Sequence, residues 1–85
     1  MLFISRFFGI AILMYYREHE PPHFHATHGE YEIVVTVHDG RVTGRFPPRA
    51  LALVLEWAAM NREALLRNWD RARAEHPLEP IRPLE

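Results

Sequence analysis

The apolar positions fall into a strand-like first half and a helical second half, with the change at Pro47-Pro48. From Phe7 to Tyr16 the run is rich in β-branched and aromatic residues and lacks clean alternation. That pattern predicts a central strand covered on both faces. Arg17 to Glu20 turns polar, and Pro21-Pro22 imposes a short extended segment without backbone donors. His23 to Thr27 fits a second strand, with Gly29 at the turn that follows. Tyr31 to Val37 alternates: Tyr31, Ile33, Val35 and Val37 share one face, Glu32, Val34 and Thr36 the other. Asp39-Gly40 signals a two-residue hairpin, because both residues tolerate the positive φ of a type I′ turn. Arg41 to Phe46 then returns as the partner strand.

Pro47-Pro48 ends the sheet and suits the first turn of a helix. Leu51, Val54, Leu55 and Ala58 recur at helical spacing, and Leu65, Trp69 and Ala72 extend the stripe. Asn61 is a break or a second N-cap between them. The order predicts an α+β fold: an antiparallel sheet of about four strands followed by one kinked or two C-terminal helices packed on one face. Residues 1–76 make a single domain, and 77–85, with Pro77, Pro80 and Pro83, make a proline-rich extended tail, partner-facing or loosely packed.

Eighty-five residues supply one core, so a homo-oligomer or a protein partner is an expected source of further stability. The absence of cysteine excludes disulfides and thiolate metal sites. Arg6 interrupts the apolar N-terminal run, which is too short to span a bilayer and has no small-residue cleavage site after it. The expectation is a cytoplasmic protein that makes no use of a membrane. A net charge of −1 gives no global field toward nucleic acid. All ten basic residues are arginine, but they are scattered, which fits coding bias better than a phosphate-binding patch.

The chemistry concentrates in His19-Glu20-Pro21-Pro22-His23-Phe24-His25. On a strand, His23 and His25 project from one face with Cα atoms roughly 6.5–7 Å apart, and Phe24 points into the core. Two imidazoles so placed suit one metal ion or one phosphate. The stiff Pro21-Pro22 segment can hold His19 near them, and Glu18, Glu20 and Glu30 are carboxylates that can complete a shell. The plainer reading is that these histidines line a polar sheet face and bond to neighbours. There is no glycine-rich phosphate loop and no serine nucleophile motif, Ser5 being the only serine. Trp57 and Trp69 read as core anchors, and His28, His38 and His76 as surface residues.

Ile4-Ser5-Arg6-Phe7-Phe8-Gly9, Met14-Tyr15-Tyr16, His19 to Ala26, Gly29-Glu30-Tyr31 and Leu55-Glu56-Trp57 together resemble a small bacterial family of domains of unknown function, the one numbered 4160. The resemblance covers nearly the whole chain, and Pro-Pro-His-Phe-His is its most specific block. It implies a short prokaryotic protein, often encoded beside another small domain and suspected of belonging to toxin–antitoxin-like pairs. The motif positions carried over are His19, Pro21, Pro22, His23, Phe24 and His25. Thr27-His28 departs from the tyrosine usual before the glycine, which removes His28 from any shared ligand set. Leu2-Phe3 also departs, at an end prone to fray.

Three functions compete. In the first, a toxin-type protein acts on RNA without metal as a ribonuclease-like hydrolase or phosphoryl-transfer enzyme. His23 and His25, with His19, serve as acid and base, and Arg6, Arg17, Tyr15 or Tyr16 steadies developing phosphate charge. No cofactor is then needed. In the second, the chain is a non-catalytic module, antitoxin or regulator, that docks a second small protein through its tail and tryptophans. In the third, His19, His23 and His25 bind zinc or a similar divalent ion, with an open position for water.

Overall fold

The structure, a computed structural model, describes residues 2–85. Five strands come first: β1 (Leu2–Phe7), β2 (Ile10–Met14), β3 (His23–His28), β4 (Tyr31–Thr36) and β5 (Val42–Arg45). Two helices follow, α1 (Pro48–Met60) and α2 (Arg62–Arg73). The strands form one sheet in the order β1-β2-β3-β4-β5, each antiparallel to the next. The fold is therefore α+β with a five-stranded antiparallel sheet and two C-terminal helices.

The extra strand comes from the first apolar run. Instead of one central strand from Phe7 to Tyr16, the chain makes a hairpin, β1 and β2, that turns at Phe8-Gly9. Both turn residues have positive φ, 49° and 77°, as a type I′ turn requires. A phenylalanine in the first of these positions conceals the turn, since asparagine, aspartate or glycine is the usual occupant. Split this way, the run does alternate: Ile10, Ile12 and Met14 join the core beneath the helices, while Ala11 and Leu13 face the other side with Thr27 and His25. A bulge between Phe3 and Ser5 gives β1 one extra residue, and Ile4 goes into the core.

The Asp39-Gly40 hairpin is also longer than expected. Thr36 and Arg41 close a four-residue loop, with Thr36 N–H donating to Arg41 O and Gly40 N–H to Thr36 O, both at 2.9 Å. Gly40 has φ 70°, Asp39 has no positive φ, and the Asp39 carboxylate accepts the Arg41 amide at 3.1 Å. Val37 explains the length. Its side chain is buried and its N–H donates to Pro22 O, so it stays with the sheet and the reversal begins after it.

Asn61 separates two helices. Its side chain does not cap α2; its amide donates back to Trp57 O at 2.8 Å and so closes the end of α1. α2 ends with Glu75 at φ 59° and a bond from His76 N–H to Arg71 O, the left-handed helix stop. The core lies between the helices and one sheet face and centres on Trp57, whose ring stands 5.5 Å from Phe7 and 5.9 Å from Phe24. Among the described residues, the other sheet face carries Leu13, His23, His25 and Glu32, and the helices pack on the core side.

Residues 77–85 form no helix or strand, and part of the segment is anchored to the domain. Ile81 is buried and its N–H donates to Ile4 O on β1, while Trp57 Nε1–H donates to Arg82 O. The buried Asn68 clasps Glu79 from both sides, Nδ2–H donating to its carbonyl and Oδ1 accepting its N–H, each at 2.8 Å. Such a clasp was invisible in the sequence because it is made to backbone, which every residue type carries.

Asn68→Ala removes both bonds to the Glu79 backbone from a buried position, at an expected cost of about 2–3 kcal/mol. Urea unfolding with an unchanged slope and a lower midpoint is the predicted readout. A loss below about 0.5 kcal/mol would show that the tail is held by other contacts.

Candidate metal centre

β3 sets the site. Its period of two sends Phe24 and Ala26 into the core, both fully buried, and turns His23 and His25 to the other face. The two imidazoles lie 5.5 Å apart, centroid to centroid. Glu18, on the loop between β2 and β3, reaches over them. Its Oε1 stands 2.8 Å from His25 Nε2 and 3.2 Å from His23 Nε2. Ligand-capable atoms of Glu18, His23 and His25 thus lie within 4.8 Å of one another.

Each ring is also held from behind. His23 Nδ1 lies 2.9 Å from Pro21 O, so it carries the proton and donates to that carbonyl. The lone pair of the neutral ring is then on Nε2, the atom aimed at Glu18. His25 Nδ1 lies 3.3 Å from Glu32 Oε2, on the neighbouring strand β4. A carboxylate thus faces each nitrogen of His25, although a neutral imidazole has only one N–H to give. The Tyr15 ring meets His25 edge-on at 4.6 Å, and the buried Trp69 ring stands 5.0 Å from His23. The imidazole side chains are only 12–15% exposed.

Protonated on both nitrogens, His25 alone satisfies its two carboxylate contacts. A cation held among the two Nε2 lone pairs and the Glu18 oxygen satisfies them as well. The second arrangement also accounts for the His23 Nε2 lone pair that faces the same oxygen at 3.2 Å. It also has the outer-shell form usual for metal-binding histidine, in which the far ring nitrogen donates to a carbonyl or a carboxylate. Tetrahedral zinc with bonds of about 2.0–2.1 Å needs ligand atoms about 3.3 Å apart, a few tenths of an ångström wider than the Glu18 contacts.

The Glu18 loop is tied down on both sides. Arg17 pairs with Glu75 at 2.6 Å, and Glu20 pairs with Arg73 and accepts Trp69 Nε1–H at 3.4 Å. These contacts fix the loop to the last turn of α2 and the residues after it. Of the residues expected in the site, His23 and His25 meet. His19 is exposed, outside the group, and Glu18 stands where His19 was expected. Arg6 lies on β1, two strands from β3, stacked 4.0 Å over the Phe3 ring. Glu30 lies at the β3–β4 turn, and Tyr16 donates from its hydroxyl to His76 O. Glu32 was legible only as a residue of the other sheet face, and its role depends on the pairing of His25 with Val34 next to it.

The tautomer is directly testable. Long-range 1H–15N correlation at about pH 8.5, where free imidazole is neutral, is expected to show His23 protonated on Nδ1. An Nε2–H tautomer there would remove the lone pair the site requires.

No helix of the described residues is long and apolar enough to cross a membrane. No curated protein and no solved structure matches the chain. The model of one family does match, over residues 9–70, a span that takes in Glu18, His23, His25 and Glu32 and leaves out β1 up to Phe7 and the tail. The match covers most of the chain, which therefore belongs to the family described as Domain of unknown function (DUF4160).

Proposed function

We propose that this protein binds a divalent metal ion through Glu18, His23 and His25, and that the ion works as a hydrolytic centre. Two imidazoles and one carboxylate suit zinc as they suit ferrous iron, and zinc is the ion that fits a hydrolytic role. Three protein ligands leave a position for water, whose deprotonation the ion promotes. The supporting observation is the convergence of both Nε2 atoms on one Glu18 oxygen, with each Nδ1 engaged behind.

The same observation weighs against a metal-free acid–base pair. That mechanism needs one imidazole free to take a proton and the other free to give one. Here Glu18 accepts from or faces both Nε2 atoms, at 2.8 Å from His25 and 3.2 Å from His23, and the two carboxylates at the site repel a bare phosphate. A bound cation reverses that repulsion. RNA is the first substrate class to try, because the family resemblance implies a toxin–antitoxin-type setting.

Untagged protein titrated with zinc chloride is expected to bind one ion per chain. Removal of a ligand, by Glu18→Gln or His25→Ala, should weaken binding about 100-fold or more, and Glu32→Gln about 10-fold. Affinity should fall as pH drops from about 7.5 to 5.5, because protons compete for the imidazoles. Zinc uptake by the variants equal to that of the parent would end the proposal.

The hydrolytic part has its own test in a bacterial host. Growth arrest with RNA fragmentation by the parent, absent from a folded His23→Ala/His25→Ala protein, is the expected result. Zinc binding without any such effect would leave a metal-binding module and remove the RNA activity.

A further inference from the structure

A second site lies at the far end of the sheet, between the β1–β2 turn and the start of α1. Phe8, His28, Pro47, Arg49, Ala50 and Leu53 line an open cavity of about 360 Å³, which is within the range of small-molecule sites. Its walls are chiefly apolar, and two side chains supply polarity. Arg49 is exposed and, among the described residues, has no carboxylate within ion-pair distance. Five of the other arginines (Arg17, Arg67, Arg71, Arg73 and Arg82) do have one. His28 is fixed in place, its Nδ1–H donating to Gly9 O at 3.0 Å. Its ring stands 6.0 Å from Phe46.

Phe8 is the unexpected element. It occupies a left-handed turn position, φ 49°, where a short polar residue or glycine is favoured, and the residue is 60% exposed. Neither the backbone nor core packing calls for an aromatic ring here. Strain of this kind, held at the rim of a cavity, points to use of the side chain. Gly9, next to it, is packed so closely that a Cβ would come within 3.2 Å of His28 Cε1, so turn and histidine are in direct contact.

We propose that this cavity binds a small carboxylate with an aromatic or branched apolar body. Arg49 pairs with the carboxylate, His28 flanks it, and Phe8 covers the apolar part against Pro47 and Leu53. The guanidinium fork suits a planar carboxylate, and the apolar walls favour a ligand whose other end carries no charge. The site is independent of the metal centre, on the other end of β3.

Phenylacetate is a suitable probe, with phenylacetamide as its uncharged counterpart, in 1H–15N correlation spectra of the full chain. Saturable shifts at Phe8, His28 and Arg49 to Leu53 are expected, with a Kd on the order of 1 mM for so small a ligand. Phenylacetamide and the Arg49→Gln variant should each bind about 10-fold more weakly. Phe8→Asn is the decisive variant, since asparagine suits the turn: it should weaken binding about 10-fold while Tm holds or rises. Phe8→Gly repeats that test should asparagine disturb the hairpin. No saturable shift up to about 50 mM, equal binding of the amide, or unaltered binding by both Phe8 variants would overturn the proposal.

Discussion

Everything at the candidate metal centre depends on where Phe24 is buried. Phe24 and Ala26 lie wholly inside the core, Phe24 against Trp57. With those two positions locked, a strand has no freedom about the residues between and before them, and His23 and His25 must emerge together on the opposite face. A one-residue slip of β3 would bury both imidazoles and expose Phe24. The hydrophobic core thus fixes the register of the chemistry, and the pairing with β4 then places Glu32 within reach of His25.

The rest of the site is built from outside the sheet. The β2–β3 loop brings Glu18 across the rings, and the ion pairs of Arg17 with Glu75 and Glu20 with Arg73 hold its two flanks. Each of these exposed pairs stabilises weakly, by at most about 1 kcal/mol. Their value lies in position, since they restrict Glu18, the one member of the group that no strand carries. Trp69 serves both layers: it fills the core, bonds to Glu20 and stands beside His23.

The fold was legible wherever pattern alone decides it. Tyr31 to Thr36 alternated, Pro47-Pro48 marked the passage to helix, and Trp57 and Trp69 fell on the buried stripe. Misreadings came where one residue departed from the usual chemistry of its position. Phe8 hid a turn, and Val37 lengthened a loop by staying with the sheet. The site was half legible for the same reason. His23 and His25 followed from the period of a strand, whereas Glu18 and Glu32 depend on a loop path and a cross-strand pairing that no spacing encodes. His19 shows the limit, being one residue from Glu18 and exposed outside the group.

The strictly sequential strand order has a consequence for how the chain reaches this state. Each strand pairs with the one before it, so most of the sheet needs only short loops to close, and low contact order favours fast folding. The bonds from Ile81 to Ile4 and from Trp57 to Arg82 are different, since they close nearly the full length of the chain or bridge from helix to tail. If these long-range contacts form after the rate-limiting step, weakening them speeds unfolding and leaves the folding rate almost unchanged, so that the last nine residues set the lifetime of the folded protein more than its speed of assembly.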